Sequence, residues 1–211
     1  MIDITPIEGN NMTTIDLVSK ALNLTNDELL ENKQYIDLLI KGASNYIEQY
    51  TGRVYNYSDV IEKLPGNGQL NIYVSVRPIK ELVEIKIFDT VIDPSLYEID
   101  NPNTGSIYKE TVWVDYTKYH GYIEKQPAMS KHAYTITYKA GYYMPGSNQR
   151  DFPYDLEIAC IELVKHLYHS KDRNYLVSRE VIGDAQRTFA TIGSVGVPDM
   201  VTEILDKWKA F

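Results

Sequence analysis

The stretch Ile36-Asp37-Leu38-Leu39-Ile40-Lys41-Gly42-Ala43-Ser44-Asn45-Tyr46-Ile47-Glu48-Gln49-Tyr50-Thr51-Gly52-Arg53 decides how the chain is organised. Ile36, Leu39, Ile40, Ala43, Ile47 and Tyr50 recur at i, i+3, i+4 spacing, a stripe about four turns long that predicts an amphipathic helix. Thr25, with Glu28 three residues on, is a start signal, because each side chain can satisfy a backbone N–H left open in the first turn. Gly52 suits the position after the helix end, where a left-handed backbone is cheap only for glycine. Upstream, Thr13 and Asp16 form an S/T-x-x-D start for a shorter helix carrying Ile15, Val18 and Leu22.

Downstream of Gly52 the period changes to two. Leu70, Ile72 and Val74 alternate with polar or small residues, and Val83, Ile85 and Ile87 alternate with Glu84, Lys86 and Phe88. Val112 and Val114 flank Trp113, and Tyr134, Ile136 and Tyr138 alternate with Thr135 and Thr137. This alternation of β-branched and aromatic residues predicts half-buried strands. Turn signals separate them: Pro65-Gly66-Asn67-Gly68, Asp93-Pro94-Ser95 and Asn101-Pro102-Asn103-Thr104-Gly105. Five to seven short strands are expected between about 54 and 141, and their close spacing favours an antiparallel sheet.

The last third returns to helix. Leu156, Ala159, Cys160, Leu163 and Leu167 form a stripe from Tyr154 onward, with Pro153 at the tolerated first-turn position. A Gly- and Ser-containing segment spans about 171–196, and Pro198-Asp199 then opens a short helix with Val201, Ile204, Leu205 and Trp208. The fold class expected is α+β: a helical bundle core from residues 1–53 and 142–211, with an antiparallel β-rich module inserted at 54–141.

Composition narrows the function. The 211 residues carry 29 acids and 21 bases, a net charge of −8, which argues against a general DNA-binding protein. A chain this long buries about 70% of the surface of its unfolded form. One cysteine, Cys160, makes no intrachain disulfide. No run approaches 18 apolar residues, and Met1-Ile2-Asp3-Ile4-Thr5-Pro6 does not read as a secretory signal, so a soluble protein made inside the cell is expected.

Candidate chemistry is sparse. Glu162, His166 and His169 could share one helix edge as a zinc site, or be the polar edge of an amphipathic helix; His120 and His132 sit in the strand region. Cys160 lies on an apolar stripe and reads as a small core residue. Gly66-Asn67-Gly68 lacks the third glycine of a phosphate loop, and Pro102 stands where a calcium loop beginning at Asp100 needs an acid. The chain has 18 Tyr, eight of them between 108 and 143: Tyr108, Tyr116, Tyr119, Tyr122, Tyr134, Tyr138, Tyr142 and Tyr143. They could stack on sugars or single-stranded nucleic acid, although Glu110, Asp115 and Glu124 offset the local lysines, or supply contact area for a protein partner.

Ser44-Asn45-Tyr46-Ile47-Glu48-Gln49-Tyr50-Thr51-Gly52-Arg53 is similar to the A-x-x-Y-I-E-x-Y-T-G-R ending of the second helix in head–tail connector (adaptor) proteins of long-tailed double-stranded-DNA bacteriophages. Val76-Arg77-Pro78-Ile79 with Val83-Glu84-Ile85 resembles that family's R-P-V…V-x-x-V strand pair, and Tyr138-Lys139-Ala140-Gly141-Tyr142 its Y-x-A-G-Y strand end. Pro153 to Cys160 resembles its P-x-D-L-x-x-A-x helix opening. Val181-Ile182-Gly183-Asp184 resembles its x-I-G-D loop, and Val197-Pro198 with Leu205 the start of its last helix. The order and spacing cover roughly residues 25–211; residues 1–24 and the segment 117–131 have no counterpart in it.

The resemblance implies a structural protein of the virion, made in the bacterial cytoplasm and placed at the capsid–tail junction. It implies a ring, usually of twelve subunits, that docks under the portal protein and extends the DNA channel. The ring presents a platform to the next connector, stopper or tail protein, and genomic DNA passes through without specific binding. Catalysis, cofactor and metal are not expected. By position, Arg179, Ile182, Gly183, Asp184 and Phe189 in the 171–196 segment, with Trp208 and Phe211 at the C-terminal helix, are the expected subunit and portal contacts. The alternatives are a Tyr-rich β module that recognises a sugar or peptide through residues such as Tyr119 and Tyr122, and a hydrolase using His166, His169 and nearby acids.

Overall fold

The computed structural model describes residues 1–7, 9–115, 132–171, 179–182, 185–188 and 197–209. The fold class is α+β. The chain divides into a β unit, Met1–Asn10 with Val54–Met144 and Gln149–Asp151, and a helical unit, Asn11–Arg53 with Pro145–Asn148 and Phe152–Phe211. This differs from the sequence expectation at two ends. The first ten residues group with the strands, because Ile2–Pro6 is a strand, and Tyr142 joins them through a bridge to Asn56.

In the β unit, β1 (Ile2–Pro6), β2 (Ser58–Leu64), β3 (Asn71–Tyr73), β4 (Ile79–Ile87), β5 (Thr90–Val91), β6 (Tyr97–Asn101), β7 (Ser106–Lys109) and β8 (Tyr134–Ala140) form two sheets. One has the order β1-β2-β8-β4-β5 and the other β3-β7-β6, and every strand pair is antiparallel. The seven strands from β2 to β8 match the expected number and direction. The turn at Asp93-Pro94-Ser95 tightens into a single 3-10 turn, Pro94–Leu96.

The inward face of β2 reads Ser58, Val60, Glu62, and that of β8 Tyr134, Ile136, Tyr138, Ala140; all seven are buried. Val60, Tyr134, Ile136, Tyr138 and Ala140 pack with Ile72, Val74, Val76, Ile85, Ile107 and Trp113. Each large apolar side chain so buried contributes about 1.5–3 kcal/mol.

Two strand expectations need correction. Val112-Trp113-Val114 is not a strand: Val112 is exposed and Trp113 is fully buried, its indole N–H donating to Leu70 O at 3.0 Å and its backbone N–H to Gln69 O at 2.8 Å. Burial of one large ring, rather than alternation, sets this segment. In β4 the register against β8 shifts between Ile79 and Glu81 and again between Leu82 and Glu84, which turns Val83 out to solvent while Ile85 stays buried.

In the helical unit, α1 (Ile15–Ala21), α2 (Asn26–Thr51), α3 (Tyr154–Ser170) and α4 (Asp199–Asp206) carry the buried side chains. The capping box of α2 is present in both directions: Thr25 Oγ1 accepts from Glu28 N, and Glu28 Oε2 accepts from Thr25 N at 2.8 Å. Gly52 closes α2 at φ 65°. The cap of α1 is Thr14, one residue after the sequence signal, with its hydroxyl accepting from Leu17 N at 3.3 Å.

Ile36, Ile40, Ala43 and Ile47 of α2 are buried, as are Leu156, Ala159, Cys160, Leu163 and Val164 of α3 and Val201 and Leu205 of α4. These are the faces through which α2, α3 and α4 pack. Buried Ser44 donates to Ile40 O at 2.8 Å and accepts from Met12 N at 3.0 Å, fixing the chain just before α1 against α2. Two further strands, β9 (Arg179–Ile182) and β10 (Ala185–Thr188), pair antiparallel with each other. Among the described residues, no helix is long and apolar enough to cross a membrane.

Candidate functional site

The C-terminal helix is where the structure gathers polar side chains from distant parts of the helical unit. Helix α4 follows Pro198 and is amphipathic, with Val201 and Leu205 buried one turn apart. Just past its end, Trp208 donates its indole N–H to Asp155 Oδ2 at 2.8 Å, on the first turn of α3. The Arg53 guanidinium, following α2, lies 5.5 Å from the Trp208 ring centroid.

A second set of contacts joins the same helix ends. Asp206 accepts from Tyr50 OH at 2.8 Å and pairs with Lys209 at 2.7 Å, and the Lys209 ammonium lies 4.4 Å from the Tyr50 ring centroid. Tyr46 stacks on Tyr50 with ring centroids 5.9 Å apart. The Lys209 ammonium, and then the Tyr50 hydroxyl, lower the Asp206 carboxyl below its ordinary range, and Asp206 in turn raises Lys209. Three helix ends are thus tied by hydrogen bonds and ring contacts at a half-exposed surface, the polar-rimmed aromatic character common in protein contact surfaces.

The expected contact residues fall out as follows. Trp208 is on this surface. Arg179 and Ile182 are the two ends of β9, paired with Thr188 and Ala185 of β10. Gly183, Asp184, Phe189 and Phe211 lie outside the described residues, as do Tyr116, Tyr119, Tyr122 and His120. The β9–β10 pair was not read from the sequence; the signal for it is Gly183-Asp184, a two-residue hairpin dipeptide between Val181-Ile182 and Ala185-Gln186.

The described tyrosines of the 108–143 group do different things. Tyr134 and Tyr138 are fully buried, and Trp113 packs edge-on to Tyr134 at 5.1 Å. Tyr142 and Tyr143 are half-buried; the Lys80 ammonium lies 5.9 and 5.8 Å from their ring centroids and pairs with Asp151, whose other oxygen accepts from Tyr143 N at 2.7 Å. Tyr57 meets Tyr143 with ring centroids 4.6 Å apart. Two of these rings therefore belong to the core, which leaves less of the cluster to face a ligand.

Among the described residues, no three of His, Cys, Asp and Glu gather in a way that could hold a metal ion. Glu162 is engaged by Lys165 at 2.7 Å, and His169 meets the Tyr168 ring edge-on at 5.8 Å. Cys160 is fully buried with Ser44 Oγ at 3.9 Å, and burial pushes its thiol up to about 12, far from a nucleophile's range.

Sequence reasoning missed a buried carboxylate in the β unit. Glu62 sits on the inward face of β2 and accepts from Tyr138 OH at 2.9 Å, from Ser75 N at 2.9 Å and from the Ser75 hydroxyl, while Tyr138 OH accepts from Val76 N at 3.2 Å. Its signal was available: a Glu in phase with the inward-facing Ser58 and Val60.

The sequence profile of a family described as head completion protein matches residues 11–211. No curated protein matches the chain. Among solved structures, a chain in the neck of an empty gene transfer agent (GTA) particle, computed with C6 symmetry, has a TM-score of 0.62 at 12% identity, with 100% of this chain and 96% of that chain covered. A chain in the virion of the native GTA particle has a TM-score of 0.56 at 12% identity, covering 99% of this chain and 95% of that one. A chain in the native GTA neck computed with C12 symmetry gives 0.55 at 11% identity, covering 99% and 96%. At such identities these likenesses show a shared fold.

Proposed function

Since the chain belongs to the head completion protein family, we propose that it is a structural component of the phage head–tail junction, without catalysis, that completes the filled head and receives the next connector or tail protein. The observation that carries this reading is the family match across residues 11–211, nearly the whole chain. The two similar chains in GTA particle necks, computed with C6 and C12 symmetry, support its cyclic arrangement in the virion at the capsid–tail junction.

The finer proposal is a ring that docks under the portal protein and extends the DNA channel. A conduit must let DNA slide, and a chain of net charge −8 repels phosphate rather than gripping it. The surface at Trp208, Asp155 and Arg53, together with the β9–β10 pair, is proposed as the subunit and portal contact. Deleting the gene from a producing phage tests the role. The expected result is DNA-filled heads and free tails that fail to join, with restoration by the wild-type chain and a tagged chain imaged at the neck. Tailed infectious particles without the chain would overturn it.

A further inference from the structure

The turn Pro65-Gly66-Asn67-Gly68, which is no phosphate loop, carries a different chemistry. Asn67 is the one asparagine of the chain followed by glycine. In such a pair the glycine nitrogen can attack the asparagine Cγ, because the glycine has no side chain to crowd the approach, and asparagine is among the chemically labile residues. Asn67 and Gly68 are both exposed, so water reaches them.

Each reacting group nevertheless has a partner in the fold. The Gly68 N–H, which would supply the nucleophile, donates to Trp113 O at 2.7 Å. Asn67 Nδ2, the leaving nitrogen, donates to Asn71 O at 2.8 Å, and Asn67 Oδ1 accepts from Gln69 N at 3.0 Å. The strip that holds Gly68 is itself anchored. Trp113 N donates to Gln69 O at 2.8 Å, its indole N–H donates to Leu70 O at 3.0 Å, and its ring is fully buried. Gly66 lies so close to this strip that a Cβ there would stand 1.9 Å from Val114 O and 2.6 Å from Trp113 O.

We propose that Asn67 is a site of spontaneous conversion to aspartate and isoaspartate, and that the Trp113 strip holds the conversion in check. In the reaction Gly68 N loses its proton to hydroxide and bonds to Asn67 Cγ. The Cγ–Nδ2 bond breaks and ammonia leaves with a proton from water, so a cyclic imide remains. Water then opens the imide. Cleavage between Gly68 N and Cγ gives aspartate, and cleavage between Gly68 N and the Asn67 carbonyl carbon gives isoaspartate. The attack requires Gly68 N–H to leave Trp113 O and the carboxamide to turn out of its two bonds. It therefore proceeds from an opened turn, at a rate scaled by the fraction open. The products loosen the anchor further. An aspartate cannot donate to Asn71 O, and isoaspartate inserts an extra main-chain carbon before Gly68, which shifts Gly68 N from Trp113 O.

The test incubates the purified full chain in mildly alkaline buffer, folded and in urea, and follows aspartate and isoaspartate at position 67 by peptide mass mapping. Isoaspartate should accumulate in urea and form about tenfold or more slowly in the folded chain. Gly66→Ala, whose methyl group must push the Trp113 strip away, should raise the folded-state rate toward that in urea while circular dichroism stays that of the wild type. In urea, Gly68→Ala should slow the conversion, as attack by a more crowded nitrogen requires. No isoaspartate at 67 in urea would overturn the site. Equal wild-type rates in the folded chain and in urea would overturn the restraint, a comparison that stands whether or not Gly66→Ala folds. A folded Gly66→Ala chain converting as slowly as the wild type would overturn the part assigned to Trp113.

Discussion

Replacing Tyr138 with Phe removes one oxygen atom from the core of the β unit, and its cost can be worked out from the contacts of that oxygen. The Tyr138 hydroxyl donates to Glu62 at 2.9 Å and accepts from Val76 N at 3.2 Å, and all three residues are buried. Burial, and then the charge of Glu62, push the phenol far above its ordinary value, so it is the donor to the carboxylate. A hydrogen bond to a charged group contributes about 1.5–3 kcal/mol, and stranding the Val76 N–H costs about 1–3 kcal/mol more. Tyr138→Phe should therefore destabilise by about 3–5 kcal/mol.

Glu62→Gln retains an acceptor for Ser75 but loses the charge. Tyr138→Phe removes the bond outright and Glu62→Gln removes only its charge, so the double variant should cost less than the sum of the single ones by the charged-over-neutral difference, about 1–1.5 kcal/mol. The two tryptophans make the assay specific. Trp113 is in the β unit and Trp208 in the helical unit. In a Trp208→Phe background, fluorescence during urea unfolding reports the β unit alone. A coupling below about 0.5 kcal/mol would refute the claim that Glu62 and Tyr138 form one buried unit.

Three other outcomes are expected. Leu163→Ala should cost about 2–5 kcal/mol in the unfolding of the helical unit, since Leu163 is in its buried face; an unchanged transition would refute the α3 packing. Gly141→Ala should cost more than Gly68→Ala. Both have positive φ, but a side chain at 141 would meet Asn56 O at 2.4 Å whereas 68 is open, and comparing the two urea midpoints checks this. Cys160 should resist iodoacetamide until the protein unfolds. Its folded value of about 12 exceeds the ordinary 9.0, so the folded state holds a proton the unfolded state gives up, and stability should fall as pH rises from 9 toward 12. Labelling faster than unfolding would contradict its burial.

Local signals made α2 legible. Thr25 and Glu28 satisfy backbone groups at its start, and Gly52 adopts the backbone its end requires, so neither depends on the rest of the fold. Strand β8 was legible because Tyr134, Ile136 and Tyr138 are buried while Thr135 and Thr137 between them are half-exposed. The misreadings come from tertiary effects. Trp113 sits in a non-strand segment because its ring fills the core and its indole finds Leu70 O, and β4 breaks its alternation at a bulge. Ile2–Pro6 is a strand with an exposed or half-exposed face at every position, so its alternation carries little hydrophobic contrast. At the candidate site, Trp208 could be named from the sequence, but its partner Asp155 is 53 positions away and Asp206 finds Tyr50 across 156. Such pairings depend on how the helices pack.

The sheet edges bear on where assembly contacts fall. An open strand edge invites another chain, and proteins blunt such edges with short strands and proline. The five-stranded sheet has both devices: β5 is two residues long, and β1 ends at Pro6. The β9–β10 pair has neither a third strand among the described residues nor proline in either strand, and a two-stranded ribbon alone is marginally stable in water. Such a ribbon gains more from a partner strand than the blunted sheet does. The proposed contacts therefore concentrate in the helical unit, and the buried Tyr134 and Tyr138 reflect the need of a small β core for large side chains with one polar end.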